Sequence, residues 1–402
     1  MPMQKNENRS IFEKLAQVNP EAEIWWDSSP LIYEVWADEL LNSIEDKGKK
    51  EKVKEKLLHL YDVDNPEKSL FRGVTTNPPL CLNVLSYHKE YWRKFVNRIV
   101  RISPNKKPGQ IFWQMYKEIV RKGAQLFLPI FENSGYKYGY ISAQLDPRDG
   151  ENFDFMLEQA EELASLSPNV MIKVPGTKEG YEIIKVLTSR GIPTNNTLSF
   201  MIPQFVTCAN AVKEGVKIAK ANKVDLSGWR SVITFMSARF TALGDLEKEA
   251  KEKDIKLSEE DTRWAELAIM KKAHRIMKEG GYPSKMLLCS MRISPTINGE
   301  KRCWHLEKLA GADIVYTCPP KFIASLLLEA DHIEFSNQID KVVPDEVMQK
   351  LLKISYFAKG YDEEGYKPEE FNFHPALLNT AKQFSGAVQK MIDFVKESMS
   401  PG

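Results

Sequence analysis

Residues 169–200 read NVMIKVPGTKEGYEIIKVLTSRGIPTNNTLSF, and this stretch decides the fold. Two β-rich runs, NVMIKVP (169–175) and IPTNNTLSF (192–200), flank EGYEIIKVLTS (179–189), whose apolar residues recur at helical spacing. Strand, helix and strand in this order make a parallel unit, because parallel neighbours need a crossover between them. The alternation continues on both sides. Further strands are expected at EIWWDSS (23–29), FRGVTTNP (71–78), YGYISAQL (138–145), SVITFMSA (231–238), KMLLCSMR (285–292) and DIVYTCPP (313–320). Eight such runs joined by helices match the α/β class and the strand number of a (β/α)8 TIM barrel. The rival, an open doubly wound sheet, normally carries a Gly-rich turn after its first strand, and the turn after EIWWDSS has none.

Helices are expected at 153–165, 203–213 and 303–309. Two connections exceed what a barrel needs. One is 31–67, with the charge run EDKGKKEKVKEK; the other is 241–281, where Ser258 to Asp261 has the form of an N-cap box. Both read as solvated helical insertions. The barrel with its insertions would occupy 1–330. Residues 331–402 show no strand pattern and would form a helical extension packed on the barrel, with 375–399 as a long amphipathic helix.

Composition sets the outer limits. The 402 residues are 43% hydrophobic with eight Trp, 14 Tyr and 19 Phe, enough for a large core and against disorder. Basic residues number 56 against 55 acidic, so no general excess is available for nucleic acid. No window of roughly 18 apolar residues predicts a membrane span. The start, MPMQKNENRSIFEKL, lacks a secretory apolar region, and cysteines 81, 208, 289, 303 and 318 are scattered without CxxC spacing. These features predict reduced thiols and a cytoplasmic location. The six histidines form no HxH, HxxH or HxxxH pair, so no metal site is expected.

Barrel strands point alternate residues inward, and active sites sit at their C-terminal ends. Polar residues inside otherwise apolar strands are therefore informative. Thr75 and Asn77 share a face, as do Ser142 and Gln144, then Asn195, Thr197 and Ser199, then Ser290 and Arg292. Lys173 lies between Ile172 and Val174. A lysine there either reaches solvent or a carboxylate, or stays desolvated with a depressed pKa that frees its amine to attack a carbonyl. Asp27 is either a general acid/base or a cap for the turn that it opens with Ser28, Ser29 and Pro30. Arg239 and Arg292, each near a serine (Ser237, Ser290), form either a phosphate clamp or salt bridges to loops. DPRDGENFD (146–154) lacks the calcium-loop register and reads as an exposed turn and helix start.

Taken in order, these segments resemble the transaldolase family, a class I aldolase-type (β/α)8 barrel, over residues 20–330. GVTTNPPL is close to the strand-two signature G-x-[ST]-TNP-[ST]. MIKVPGTKEG followed by IPTNNTLSF resembles the second signature, which bears the Schiff-base lysine. The resemblance implies that Lys173 forms the imine and that Asp27 exchanges protons with substrate hydroxyls. It implies that Asn77, Asn195 and Thr197 hold hydroxyls and the catalytic water, and that Thr234 stands where the family often has Ser. Arg239, Ser290 and Arg292 match the sugar-phosphate set. The implied activity moves a dihydroxyacetone unit from a ketose phosphate donor to an aldose phosphate acceptor, in the pentose phosphate pathway, without metal or organic cofactor. Family members are often dimers or larger, so a homo-oligomer fits the resemblance.

Two departures accompany it. Gln144 stands where transaldolases usually have Glu, as in the fructose-6-phosphate aldolase branch, which cleaves off free dihydroxyacetone. Met236 stands where relatives commonly carry an aromatic residue. A lyase, or a transaldolase-like enzyme for a specialised sugar, is therefore the second expectation; a silent scaffold is disfavoured by the retained Lys173, Asp27, Asn77, Thr197, Arg239 and Arg292.

Overall fold

The structure, a computed structural model, describes residues 9–399. Eight parallel strands close into a barrel in chain order. They are β1 (Glu23–Trp26), β2 (Phe71–Thr75), β3 (Tyr140–Gln144), β4 (Val170–Pro175), β5 (Thr194–Thr197), β6 (Ser231–Met236), β7 (Lys285–Cys289) and β8 (Val315–Cys318). The last strand returns to the first, with Trp26 opposite Cys318. The expected (β/α)8 barrel is present. Its central unit is built as read: Lys173 pairs in register with Asn195, and the helix Lys178–Ser189 crosses between β4 and β5. Thr177 caps that helix by accepting from the Gly180 amide at 3.0 Å. A Cβ on Gly180 would sit 2.0 Å from the Pro175 carbonyl oxygen, so glycine lets the helix start directly above the strand.

Every strand is shorter than its β-rich run, and most of the excess lies at the C-terminal end. Leu198 (φ 52°) ends β5 and Ser290 (φ 61°) ends β7, each in the left-handed region where a strand cannot continue. Ser290 and Arg292 therefore do not share a strand face; they occupy the loop after β7, which also carries a small hairpin of Thr296–Ile297 with Glu300–Lys301. Arg239 does not end a strand either. Ser237 opens the helix Ser237–Leu243, and Arg239 lies within it.

The first excess segment forms the helices Tyr33–Asn42 and Lys47–Leu60 between β1 and β2. The charge run is not simply solvated. Val53, Leu57 and Leu60 are buried on one face, and Lys56 pairs with Asp331. The second segment contains Leu246–Glu252 and the long helix Glu259–Glu279, which opens with the capping box on Ser258 and Asp261. The largest excursion carried no clear sequence signal: the helices Pro78–Tyr87, Lys89–Ile102 and Pro108–Asn133 separate β2 from β3.

After residue 330 the described chain is helical and loop, ending in Pro375–Met399. That helix packs against Pro78–Tyr87 (after β2), the turn Pro147–Asp149 (after β3) and Ser237–Leu243 (after β6). It therefore lies across the C-terminal end of the barrel. Its buried face, including Leu377, Phe384, Val388, Met391 and Val395, follows the helical period and joins the same continuous core as the strands. Among the described residues no helix is long and apolar enough to cross a membrane.

Candidate active site

Inside the barrel, side chains stack in layers along the axis. The lower layer holds Glu23, which pairs with Arg230 at 2.5 Å and Lys285 at 2.9 Å and accepts from Trp25 Nε1 at 2.9 Å. Trp25 fills the middle, made possible by Gly73 of β2, where a Cβ would lie 2.5 Å from the indole ring. Above this plug, towards the strands' C-terminal ends, the interior becomes polar.

Two hydrogen-bonded chains line that upper layer. Thr234 donates to Asn195 Oδ1 at 2.7 Å, and Asn195 Nδ2 donates to Ser142 Oγ at 2.9 Å, tying β6, β5 and β3 together. On the other side Thr75 donates to Asp27 Oδ1 at 2.7 Å and contacts the Thr317 hydroxyl, tying β2, β1 and β8. Lys173 stands between the chains. It is 4% exposed, and its ammonium donates to the Thr76 carbonyl at 2.9 Å. Among the described residues it makes no ion pair. Burial pushes its pKa below the ordinary lysine value, partly opposed by the nearby Asp27. Asp27 mirrors this. Burial raises its carboxyl above the usual range, while Lys173, the Thr75 hydrogen bond and Arg239 pull it down. Of the alternatives open for Lys173, the structure selects a desolvated amine aimed into the mouth.

Gln144 is buried in register with Lys173, and its Oε1 has no hydrogen-bond partner among the described residues. A buried amide oxygen without a donor is costly unless something enters to supply one. Thr197 is buried with its hydroxyl 4.0 Å from Met236 Sδ. Asn77 caps the helix Pro78–Tyr87 by accepting from the Leu80 amide at 3.0 Å, which fixes its side chain at the end of β2.

Arg239 is half buried. Its guanidinium donates to Gln383 Oε1 at 2.7 Å and lies 5.2 Å from the centre of the Phe384 ring, both on the helix crossing the mouth. Arg292 is exposed, and Ser290 lies near Cys289, sulfur to oxygen 3.7 Å. The Arg292 amide donates to His305 Nδ1 at 3.1 Å. The opposite nitrogen of His305 lies 2.6 Å from Glu266, which also pairs with Arg263. The barrel thus gathers Lys173, Asp27, Gln144, Thr197, Asn77, Asn195 and Thr234 at one end with Arg239 at the rim; Ser290 and Arg292 belong to a separate loop beside it.

Sequence reasoning missed Thr317 and the Thr76 carbonyl as well as Gln383 and Phe384. Thr317 carried a usable signal, a polar residue within the apolar run DIVYTC. The other three carried none, since backbone acceptors and a helix some 140 residues downstream meet the site only through the tertiary fold.

A closed parallel barrel thus brings a buried lysine, a carboxylate and a ring of hydroxyls and amides together at its C-terminal end, the end where sites of this fold lie. The chain belongs to the transaldolase/fructose-6-phosphate aldolase family, whose model matches residues 45–374. Transaldolase 1 of Streptomyces avermitilis is 31% identical over 169 residues, 42% of this chain and 44% of that protein. Transaldolases of Thiobacillus denitrificans and Trichodesmium erythraeum are 27% and 24% identical over 303 and 307 residues, covering 80% and 79% of their lengths. The chain thus spans less than half of the first of these relatives and about four fifths of the other two.

Proposed function

We propose that the protein is a transaldolase-type transferase acting on sugar phosphates through a Schiff base on Lys173. The observation that carries the reading is a desolvated lysine with a single carbonyl partner, facing Asp27 in a polar barrel mouth. The neutral amine adds to the C2 carbonyl of a ketose phosphate; protonated Asp27 gives its proton to the departing hydroxyl, which leaves as water, so a protonated imine and the Asp27 carboxylate remain. Asp27 accepts the C4 hydroxyl proton, the C3–C4 bond breaks, and its electrons pass to the imine nitrogen. An aldose phosphate leaves, and the dihydroxyacetone unit stays on Lys173 as an enamine. Its carbon then attacks the aldehyde of a second aldose phosphate, and hydrolysis returns the amine. Asn77, Asn195, Thr197 and Thr234 would hold hydroxyls and water, and Arg239 at the rim would hold the phosphate, joined by Ser290 and Arg292 if the loop after β7 turns towards the bound substrate. The helix Pro375–Met399, lying across the mouth, supports retention of the enamine by limiting access of water. A cytoplasmic location suits five cysteines that are all unbridged.

A second reading, cleavage that releases free dihydroxyacetone, is favoured by Gln144, whose amide can hold a water but cannot exchange a proton at neutral pH. The test is product analysis with fructose 6-phosphate, with and without erythrose 4-phosphate. Sedoheptulose 7-phosphate formed only with the acceptor supports transfer. Free dihydroxyacetone formed without it supports cleavage, and neither product removes both readings. Gln144→Glu should shift the product ratio towards transfer.

A further inference from the structure

The long helix Glu259–Glu279 presents Lys271, Lys272, Arg275 and Lys278 at helical spacing to a cavity of about 600 Å³ between it and the segment 339–361. Lys341 adds a fifth cation from the opposite wall, and the lining carboxylates are Asp340 and Glu279. Lys272 reaches Glu363 at 3.8 Å, but Lys271, Arg275, Lys278 and Lys341 make no ion pair among the described residues. The Lys271 ammonium is half buried and is held by two carbonyls, Gln338 at 2.6 Å and Ile339 at 2.9 Å. Burial pushes its pKa down to about 8, with Lys308 and Lys341 adding to the shift against Asp340. His274 is likewise held below its ordinary value by burial and by Lys278. Both shifts come first from burial, while the geometry sets five cations against two carboxylates around one cavity. Such crowding is unfavourable unless an anion offsets it.

The position separates this cavity from the barrel mouth. A smaller cavity of about 420 Å³ adjoins it through His274, Lys278 and Asp340 and runs beneath Ser284 and Lys285, at the N-terminal end of β7. Lys173 is buried in the half of β4 nearer the other end, held by the Thr76 carbonyl. The cavity also has an apolar side, formed by Val343, Met348 and Tyr361. We infer that it is a second, non-catalytic binding site for an organic phosphate bearing at least two negative charges. The guanidinium fork of Arg275 and the lysine ammoniums take the phosphates, and the apolar wall takes the carbon skeleton. The inference is independent of the chemistry at Lys173.

Calorimetric titration of the full chain with ATP and with inorganic pyrophosphate, both free of magnesium, tests it. Arg275 and Lys278 are exposed, so Arg275→Ser combined with Lys278→Ser leaves fold and turnover intact while weakening binding by about tenfold or more. Arg239→Ala, at the mouth, leaves this binding in place. No measurable binding of either probe overturns the inference. So does unchanged affinity in the double variant, which would assign the phosphates to another site.

Discussion

Glu23 and Asp27 stand four residues apart on one face of the first strand's path, at opposite ends of the same barrel, and their surroundings differ in kind. Glu23 meets two cations and an indole N–H within hydrogen-bond distance, and the two cations hold its pKa below the ordinary value in spite of burial. Asp27 has one hydroxyl donor, and burial wins, raising its pKa. The lower end of the barrel neutralises each charge it buries, and the upper end leaves Asp27, Lys173 and Gln144 under-satisfied. A buried charge with complete partners rigidifies the fold, whereas one without them is poised for a ligand or a proton. The same sequence spacing therefore yields a structural plug at one end and a reactive mouth at the other.

The sharpest way to break this contrast is at the two charges themselves. Lys173→Ala should lower turnover by roughly a thousandfold or more while leaving the melting temperature equal or higher, since a desolvated amine is removed. Loss of stability together with activity would show that the lysine is structural. Glu23→Ala should do the reverse, costing roughly 3–5 kcal/mol by stranding Arg230 and Lys285, with residual folded protein still active. Glu23's folded pKa is depressed, so its contribution is present above about pH 4.5 and is lost as pH falls through the folded pKa; acid denaturation scans of wild type and variant should converge there.

A third buried ionisable group sharpens the rule. His374 stacks between Phe200 and Tyr356, both its ring nitrogens lack hydrogen-bond partners among the described residues, and burial pushes its pKa down to about 3. The unfolded chain takes up a proton near pH 6.5 that the folded one refuses until about pH 3, so His374 destabilises the fold as pH falls through that window. His374→Phe should relieve this, gaining roughly 2–3 kcal/mol near pH 4 and much less at pH 8 in urea melts. A gain independent of pH would point to packing alone. The smallest effect concerns coupling within the mouth. Asp27 stabilises the Lys173 ammonium, so Asp27→Asn should move the acid limb of amine reactivity to lower pH. An upward shift would mean the carboxylate acts from elsewhere.

Much of the barrel is legible in the sequence, because parallel strands buried on both faces leave continuous apolar runs, and a lysine in the middle of one is conspicuous. Lys173, Asp27, Asn195 and Thr197 stand out for that reason, whereas Thr234 is reached only through the family resemblance. Strand ends are not, because polar residues that close a strand look like polar residues that line a barrel; this is why Ser290 and Arg292 read as one strand face yet lie in a loop. The charge run at 45–56 hides a buried face because only Val53, Leu57 and Leu60 mark it. The partners of Glu23 lie some 200 residues or more along the chain, and those of Arg239 on the final helix, so no local pattern records them.

The central claim is that Lys173 is the amine that bonds to substrate. Incubation with fructose 6-phosphate, reduction with borohydride and peptide mass mapping reads this directly. The expected result is one reduced adduct, carried by the peptide containing Lys173 and absent from Lys173→Ala. No adduct, or an adduct on another lysine that survives Lys173→Ala, would contradict the account.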